Sequence, residues 1–248
     1  MHKKAYAGNV IETDTHWRAT GPYQAVNASK AGLVDETRLA LLLYQRLGDL
    51  DATKRELLQA ALPQRSRTSR EGVVERVQSR LVRWHPPAWV CRDLITAANE
   101  DDGIDLRCLL LLHASRQDVL LYDAVQRLVL PRWKRGEQQL IRADVQRFLD
   151  EAESDHPELA RWSRQTRQKL ASNILAILHD YGLLTGKVTR RIVEPVVTPH
   201  TAGHLERVLL EEGVAPEAVP AHPDWQLWLW DEQGVLGWQL QRDRERTA

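Results

Sequence analysis

The feature that most constrains the fold of this 248-residue chain is a helical repeat of apolar residues, spaced three and four positions apart. In residues 35–48, for example, Leu39, Leu42, Leu43 and Leu47 recur at this spacing. Such a stripe predicts an amphipathic helix that must bury one face against another element. Because segment after segment carries only one stripe, we predict a mainly helical, all-α protein whose helices pack on each other.

Caps, glycines and prolines bound the other predicted helices, and two segments depart from the helical pattern. Residues 183–197 place β-branched side chains around a Thr-Gly turn, which predicts a short β-hairpin. Residues 224–240 alternate and are rich in tryptophan, which predicts a second hairpin. The further predicted helices cover residues 51–62, 68–84, 87–98, 104–114, 115–130, 137–153, 163–182 and 198–213.

The stretch PRWKRG at residues 131–136 is typical of a hinge or linker and suggests how the chain is divided. We predict a helical N-terminal domain over residues 1–130, a winged helix-turn-helix-like domain over 137–212, and a Trp-rich C-terminal tail over 213–248. The middle assignment follows from element order, because a helix, a turn, the helix at 163–182 and a basic hairpin are the parts of a winged helix.

Charge is distributed unevenly along the chain, although its net charge is zero. In residues 61–92, the first basic segment, seven arginines against two glutamates give a local charge of +5. In residues 160–191, the second basic segment, seven basic residues against one aspartate give +6. A neutral protein with two such segments can present a basic face to nucleic acid, unless its acidic stretches neutralise them within the fold.

The second basic segment predicts a recognition helix with a polar front and an apolar back. Leu170, Ile174 and Leu178 form its apolar stripe. In a winged helix the N-terminal end of this helix enters the major groove, where basic residues neutralise phosphates and Gln or Arg can bond base edges. The ordinary alternative is a solvated helix face. The candidate nucleic-acid-binding residues are Arg161, Arg164, Arg167, Gln168 and Lys169 on the helix, with Lys187, Arg190 and Arg191 on the wing.

The first basic segment gives a second candidate surface along the predicted helix 68–84. Val73, Val77 and Leu81 form its apolar stripe, and arginines line one flank. The alternative is an edge helix whose arginines pair with acidic neighbours. The candidate nucleic-acid-binding residues are Arg65, Arg67, Arg70, Arg76, Arg80 and Arg83.

Motifs for catalysis, cofactors and metals are missing from the sequence. The glycines of GLLTGKV, residues 182–188, are too close together for a phosphate loop, and Val188 stands where a hydroxyl must bind the metal. His200 and His204 have a spacing that can hold zinc, but a third ligand is not evident, and we interpret them as surface or capping histidines. We therefore predict a non-enzyme without a cofactor or a metal.

Cysteine and tryptophan usage bear on location and packing. Cys91 and Cys108 form no paired motif, which is typical of reduced thiols in a cytoplasmic protein. Apolar runs fall far below the ~20 residues of a membrane helix, so we expect no membrane partner. Trp225, Trp228 and Trp230 either pack on their own helical domain, which we favour, or anchor an interface.

Several stretches of the chain resemble the BrxA family of BREX (bacteriophage exclusion) defence systems. WSRQTRQKLASNILAILHDYGLL at residues 162–184 shows the Trp-Ser opening, the Thr-Arg-x-Lys-Leu turn and the long apolar helix that ends in Gly-Leu-Leu. RRIVEPVVTP at 190–199 follows as the basic, proline-bearing strand. AVNASKAGLVDETRLALLLY at 25–44 and RSRTSREGVVERVQSRL at 65–81 resemble the two earlier blocks of the family.

The resemblance implies an all-helical protein of two small domains that binds double-stranded DNA without catalysis. It also implies partners, namely the methyltransferase, the ATPase and the phosphatase-like component of a BREX system. Our leading hypothesis is therefore a non-enzymatic, double-stranded DNA-binding accessory component. The competing hypothesis is a protein-interaction adaptor that assembles BREX subunits without touching DNA.

Overall fold

The computed structural model describes residues 15–25, 31–187 and 189–247, and this part of the chain is mainly helical, which confirms the all-α prediction. None of its helices is both long enough and apolar enough to cross a bilayer. The α-helices are α1 Val34–Leu47, α2 Leu50–Glu56, α3 Arg67–Leu81, α4 Ala88–Asn99, α5 Ile104–Arg116, α6 Val119–Asp123, α7 Leu130–Lys134, α8 Arg142–Glu151, α9 Arg164–Asp180, α10 Pro199–Glu211 and α11 Glu232–Thr247.

Two π-helical segments extend the shorter helices. Leu57–Ala61 continues α2, and Ala124–Val129 joins α6 to α7. The linker predicted at residues 131–136 therefore begins inside a helix, and the chain turns only at Gly136, whose φ is 73°. Pro131 is the second residue of α7, directly after the π-helical segment.

One apolar core runs through all three predicted parts of the chain. Leu41 of α1, Leu111 of α5, Leu178 of α9 and Trp228 of the tail are buried members of the same cluster. Each such side chain contributes roughly 1.5–3 kcal/mol of transfer free energy when it leaves water. The helices on the two sides of residues 131–136 thus share a core, while the division into domains stays a prediction.

Three short strands form an antiparallel sheet in the order β1-β3-β2. They are β1 Gln139–Leu140, β2 Leu184–Thr185 and β3 Arg190–Ile192. The hairpin predicted in residues 183–197 is confirmed by the pairing of β2 with β3. Its turn requires Gly186, because φ is +86° and a Cβ there would lie 2.2 Å from the Thr189 carbonyl oxygen.

The first strand was not predicted. Residues 137–153 carry a helical apolar repeat, but the helix begins only at Arg142. The two residues of β1 pair with β3, with Leu140 buried opposite Arg190. A two-residue strand leaves no alternation to detect, so only the presence of a partner strand reveals it.

The Trp-rich hairpin predicted for residues 224–240 is wrong. The segment forms a 3₁₀-helix, Pro223–Trp228, followed by α11. The Asp231 side chain accepts a hydrogen bond from the Gly234 N–H at 2.9 Å, the bond of a helix N-cap. Trp225 and Trp228 are buried in the shared core, which confirms that these tryptophans pack on their own protein.

A buried ion network fixes this tail against α5. The Arg116 guanidinium donates to the carboxylates of Asp224 and Glu212, and the Arg18 guanidinium donates to Asp224 at 2.7 Å. The side chain of Asp224 is fully buried. Because a buried carboxylate needs close cationic partners, this network sets where the tail lies.

Candidate nucleic-acid interface

The second basic segment contains α9, whose start is fixed by a local cap. The Ser163 hydroxyl accepts a hydrogen bond from the Thr166 N–H at 3.1 Å. Leu170, Ile174 and Leu178 are buried and anchor the C-terminal two thirds of the helix. The exposed side of the first turns carries Gln165, Lys169 and Ser172, next to Arg164.

Five cations of the second basic segment are exposed. None of them forms an ion pair with any residue of the described ranges 15–25, 31–187 and 189–247. We refer to this set as the five unpaired cations. They are Arg161, Arg164, Lys169, Lys187 and Arg191.

Arg167 has a different environment from its neighbours. Its guanidinium donates to the Asp150 carboxylate at 2.9 Å, to Glu153 at 2.5 Å and to the Leu159 carbonyl at 2.7 Å. The hydrogen bond to Glu153 is the main cause of its raised pKa. Gln168 is half-buried. Arg167 thus holds α9 against α8 and is a positioning residue within the candidate surface.

The three basic residues predicted on the wing separate onto different faces. Side chains alternate along a strand, so Arg190 and Arg191 point to opposite sides of the sheet. Arg191 lies in the exposed row between Gln139 and Thr185. Arg190 is half-buried, and its Nη1 atom has no hydrogen-bond partner in the described part of the chain. Lys187 is exposed in the turn between β2 and β3.

Sequence reasoning missed a further cation next to the sheet. Arg142 is exposed at the first position of α8, two residues after Leu140 of β1. It forms no ion pair within the ranges that the structure covers. A predicted helix over residues 137–153 hides this position, because it places Arg142 within a helix and not at the junction with β1.

Two arginines of the first basic segment pair with glutamates of α3. Arg67 donates to Glu71 at 2.9 Å, and Arg83 donates to Glu75 at 2.5 Å. Arg70 donates to a backbone carbonyl, that of Gln64, at 3.1 Å. These contacts match the alternative of an edge helix whose arginines pair with acidic neighbours.

Arg80 is removed from the candidate set because the fold buries it. Its side chain donates to the carbonyls of Gly32 at 2.8 Å and Ala31 at 3.1 Å, and to the Tyr181 hydroxyl at 2.9 Å. Only 6% of the residue is exposed. The prediction that Arg80 contacts nucleic acid is therefore corrected: it cross-links α3 to the chain before α1 and to the end of α9.

The remaining two candidate arginines of the first basic segment differ in exposure. Arg65 is exposed and unpaired within the described residues. Arg76 is half-buried, and burial, reinforced by the charge of Arg80, lowers its pKa. Of the six predicted cations in this segment, Arg65 has the exposure and the lack of a partner that a phosphate contact needs.

Helices α3 and α9 meet at their C-terminal ends. The Arg80–Tyr181 bond joins the last turn of α3 to the residue after α9. At 1.5 Å per residue, Arg67 lies about 20 Å back along α3 and Arg164 about 24 Å back along α9. The exposed starts of the two helices are therefore far from the point where the helices touch.

His204 is a core residue, so its interpretation as a surface or capping histidine is wrong. Its Nδ1 lies 2.7 Å from an Asp93 oxygen, and its Nε2 lies 2.9 Å from His113 Nε2. Burial lowers the pKa of both histidines, although Asp93 opposes the shift at His204. Half-buried His200 is not part of this pair. Among the described residues, no three His, Cys, Asp or Glu side chains are placed to hold a metal.

Comparisons with known proteins identify the family of the chain. A search of the curated proteins finds no match. A crystal structure of an uncharacterized protein from Magnetospirillum magneticum is similar, with a TM-score of 0.60 and 19% identity over 78% of this chain and 96% of that one. This likeness shows the fold alone. The BrxA family model matches residues 21–208, and the chain therefore belongs to the BrxA family, whose members are components of BREX defence systems.

Proposed function

We propose that this BrxA-family chain is a non-enzymatic, double-stranded DNA-binding component of a BREX system and acts in the cytoplasm. DNA would be held by a winged helix-turn-helix made of β1, α8, α9, β2 and β3. The observation that carries the proposal is the set of five unpaired cations, which lie just before α9, in its first turns and on the hairpin that follows it.

The order of elements supports this assignment. Two packed helices, α8 and α9, are followed by the antiparallel hairpin of β2 and β3. Strand β3 lies at the centre of the sheet and also pairs with β1. The connection between the helices spans residues 152–163 and contains two 3₁₀-turns, so it is longer than the 3–4-residue turn of a simple helix-turn-helix. Arg167 compensates for this length, because it ties α9 to Asp150 and Glu153.

The chemistry of the α9 start also supports it. Arg164 and Lys169 can neutralise phosphates, and the N-terminal amides of a long helix favour an anion. Gln165 and Ser172, which are exposed near these cations, can form hydrogen bonds with base edges. Lys187 and Arg191 would then reach the DNA backbone from the hairpin.

The adaptor hypothesis loses its proposed anchor. It required exposed tryptophans in the tail, but Trp225 and Trp228 are 1% and 0% exposed. What remains of it is an electrostatic docking of the same cations onto acidic partner subunits. The two hypotheses therefore differ in the ligand of one surface, and one set of variants distinguishes them.

The test is binding of a labelled 20-base-pair duplex, measured by fluorescence anisotropy between 50 and 200 mM salt. Five phosphate contacts predict a log–log slope of about −4.5. Arg164→Glu with Lys169→Glu should weaken binding by roughly 100-fold at low salt. Salt-insensitive binding, or none, contradicts the proposal. If the double variant binds duplex normally but no longer captures BREX partner subunits, the adaptor hypothesis is correct.

A further inference from the structure

An apolar cavity of about 400 Å³ lies between α1, α2, α3 and α4, on helices that the proposed DNA surface does not use. Its wall includes Leu41 of α1, Leu57 directly after α2, Val77 and Leu81 of α3, and Leu94 of α4. All five are buried in the apolar core. The cavity thus cuts into the packing of four helices and is more than a surface depression.

A cavity of this size requires an explanation. Protein interiors contain few voids larger than one water molecule, and the stability lost to a closed void rises with its volume. This cavity opens to solvent next to the exposed residues Lys54 and His85. Its volume lies within the range of about 300–1,000 Å³ that small-molecule sites occupy, and apolar cavities bind apolar guests.

The charge at the mouth defines the kind of guest. Lys54 and His85 line the cavity, whereas no aspartate or glutamate does. Lys54 has no ion-pair partner among the residues that the structure describes. Tyr44, Thr53 and Gln78 add a few polar groups to an otherwise apolar lining. An apolar body with a single acidic head group complements this arrangement.

The backbone beside the cavity gives an independent indication of a site. Leu57, which contributes to the wall, begins the π-helical segment Leu57–Ala61. π-helical turns are rare and occur frequently at functional sites, because they displace side chains from the regular helical register. Here the π-helical segment begins three residues after Lys54, which lies at the opening of the cavity.

We propose that this cavity binds a small amphipathic anion, with its apolar body between α1 and α4 and its acidic head at Lys54. The site involves none of the five unpaired cations, so it does not depend on DNA binding. A small anion seated there would add contacts to all four helices and stabilise the folded protein.

The probe is 8-anilinonaphthalene-1-sulfonate, which has apolar rings and one anionic group. We expect saturable binding of one probe per chain, detected by fluorescence, and competition by dodecanoate. Lys54→Met keeps the apolar stem and should weaken the probe at least tenfold, while uncharged N-phenyl-1-naphthylamine binds unchanged. Lys187→Met, on the distant hairpin, is the matched control. Absence of binding, or equal binding to wild type and Lys54→Met, overturns the proposal.

Cys91 supplies a second readout that needs no mutation. It lines the cavity and is half-buried, whereas Cys108 is buried. Burial raises the pKa of both thiols, and it raises the pKa of Cys108 to about 12. Benzylmaleimide at about pH 8.5 should therefore modify Cys91 selectively. Bound dodecanoate should slow this reaction, and the modified protein should lose probe binding while keeping its helical circular dichroism. Undiminished probe binding after full modification would place the probe elsewhere and overturn the proposal.

Discussion

The two basic segments have seven basic residues each, yet the fold places most of them in different environments. In the first segment, Arg80 is buried in the core, and Arg67 and Arg83 pair with glutamates. In the second segment, five cations are exposed without an ion pair in the described residues. A local charge count therefore does not identify a nucleic-acid surface. The positions of the nearby carboxylates determine which cations stay unpaired.

The placement of those carboxylates explains the difference. Glu71 and Glu75 lie on α3 itself, within reach of its arginines. The second segment contains only Asp180, which is at the far end of α9 and accepts a hydrogen bond from the Gly32 N–H at 2.9 Å. The start of α9 consequently has cations and no acidic residue of its own segment to neutralise them.

The largest expected effect in this comparison is on stability, and it comes from the first segment. Arg80→Ala leaves the Ala31 carbonyl without its donor, removes one of two donors to the Gly32 carbonyl (the Tyr181 hydroxyl is the other) and opens a cavity. We therefore expect a loss of about 3 kcal/mol in the free energy of unfolding. Arg164→Ala, the matched change in the second segment, should stay within about 0.5 kcal/mol. Urea denaturation measures both; similar losses would mean that the two segments do not differ.

Lower pH should weaken the core without altering either basic segment. His113 and His204 are held neutral by burial, which lowers their pKa, while in the unfolded chain histidine takes up a proton below about pH 6.5. Stability should therefore fall as the pH drops from 7 to 5.5, by up to about 1.4 kcal/mol per pH unit for each histidine.

Urea denaturation at several pH values tests this dependence. His204→Gln should reduce the slope of stability against pH, whereas His16→Gln, at an exposed position, should leave it unchanged. An unchanged slope in His204→Gln would show that the buried pair does not control the pH response. DNA binding should be compared above pH 7, where the core is intact.

A smaller loss of stability is expected at Arg167, which is held by carboxylates although it belongs to the second segment. Arg167→Ala removes three hydrogen bonds that hold α9 to α8 and to Leu159, so we expect a loss of about 1–2 kcal/mol in stability. Its DNA affinity should fall only through misplacement of α9. A variant of normal stability that had lost duplex binding would instead make Arg167 a direct DNA contact.

The smallest expected effect comes from freeing arginines of the first segment. Glu71→Gln with Glu75→Gln removes two exposed ion pairs, and such pairs contribute little, so stability should change by less than about 0.5 kcal/mol. Duplex affinity should rise by less than about threefold. A large gain measured by anisotropy would show that Arg67 and Arg83 face the DNA once released.

Local signals in the sequence were sufficient for the second segment. The Ser163 cap, the apolar repeat of α9 and the Thr185-Gly186 turn each act within a few residues, and the structure contains all three. The same local signals could not separate Arg190 from Arg191, because the register of β3 is set by two partner strands.

The predictions for Arg80 and His204 were wrong because residues distant in sequence determine the burial of both side chains. Arg80 lies at the edge of the apolar stripe of α3, and the carbonyls that bind it are 48 and 49 residues away. His204 is buried by His113 and Asp93, which are distant in sequence as well. Neither partner set leaves a pattern in the local sequence, so exposure was the default interpretation at both positions.

The measurement that tests the central claim most directly is the salt dependence of duplex binding in two matched double variants. Arg164→Gln with Lys169→Gln removes two of the five unpaired cations and should make the log–log slope shallower by about 1.8. Arg67→Gln with Arg83→Gln removes the same charge from the first segment and should leave the slope within about 0.3 of wild type. Equal changes in both variants, or a change confined to the first segment, would contradict the assignment of the DNA surface to α9.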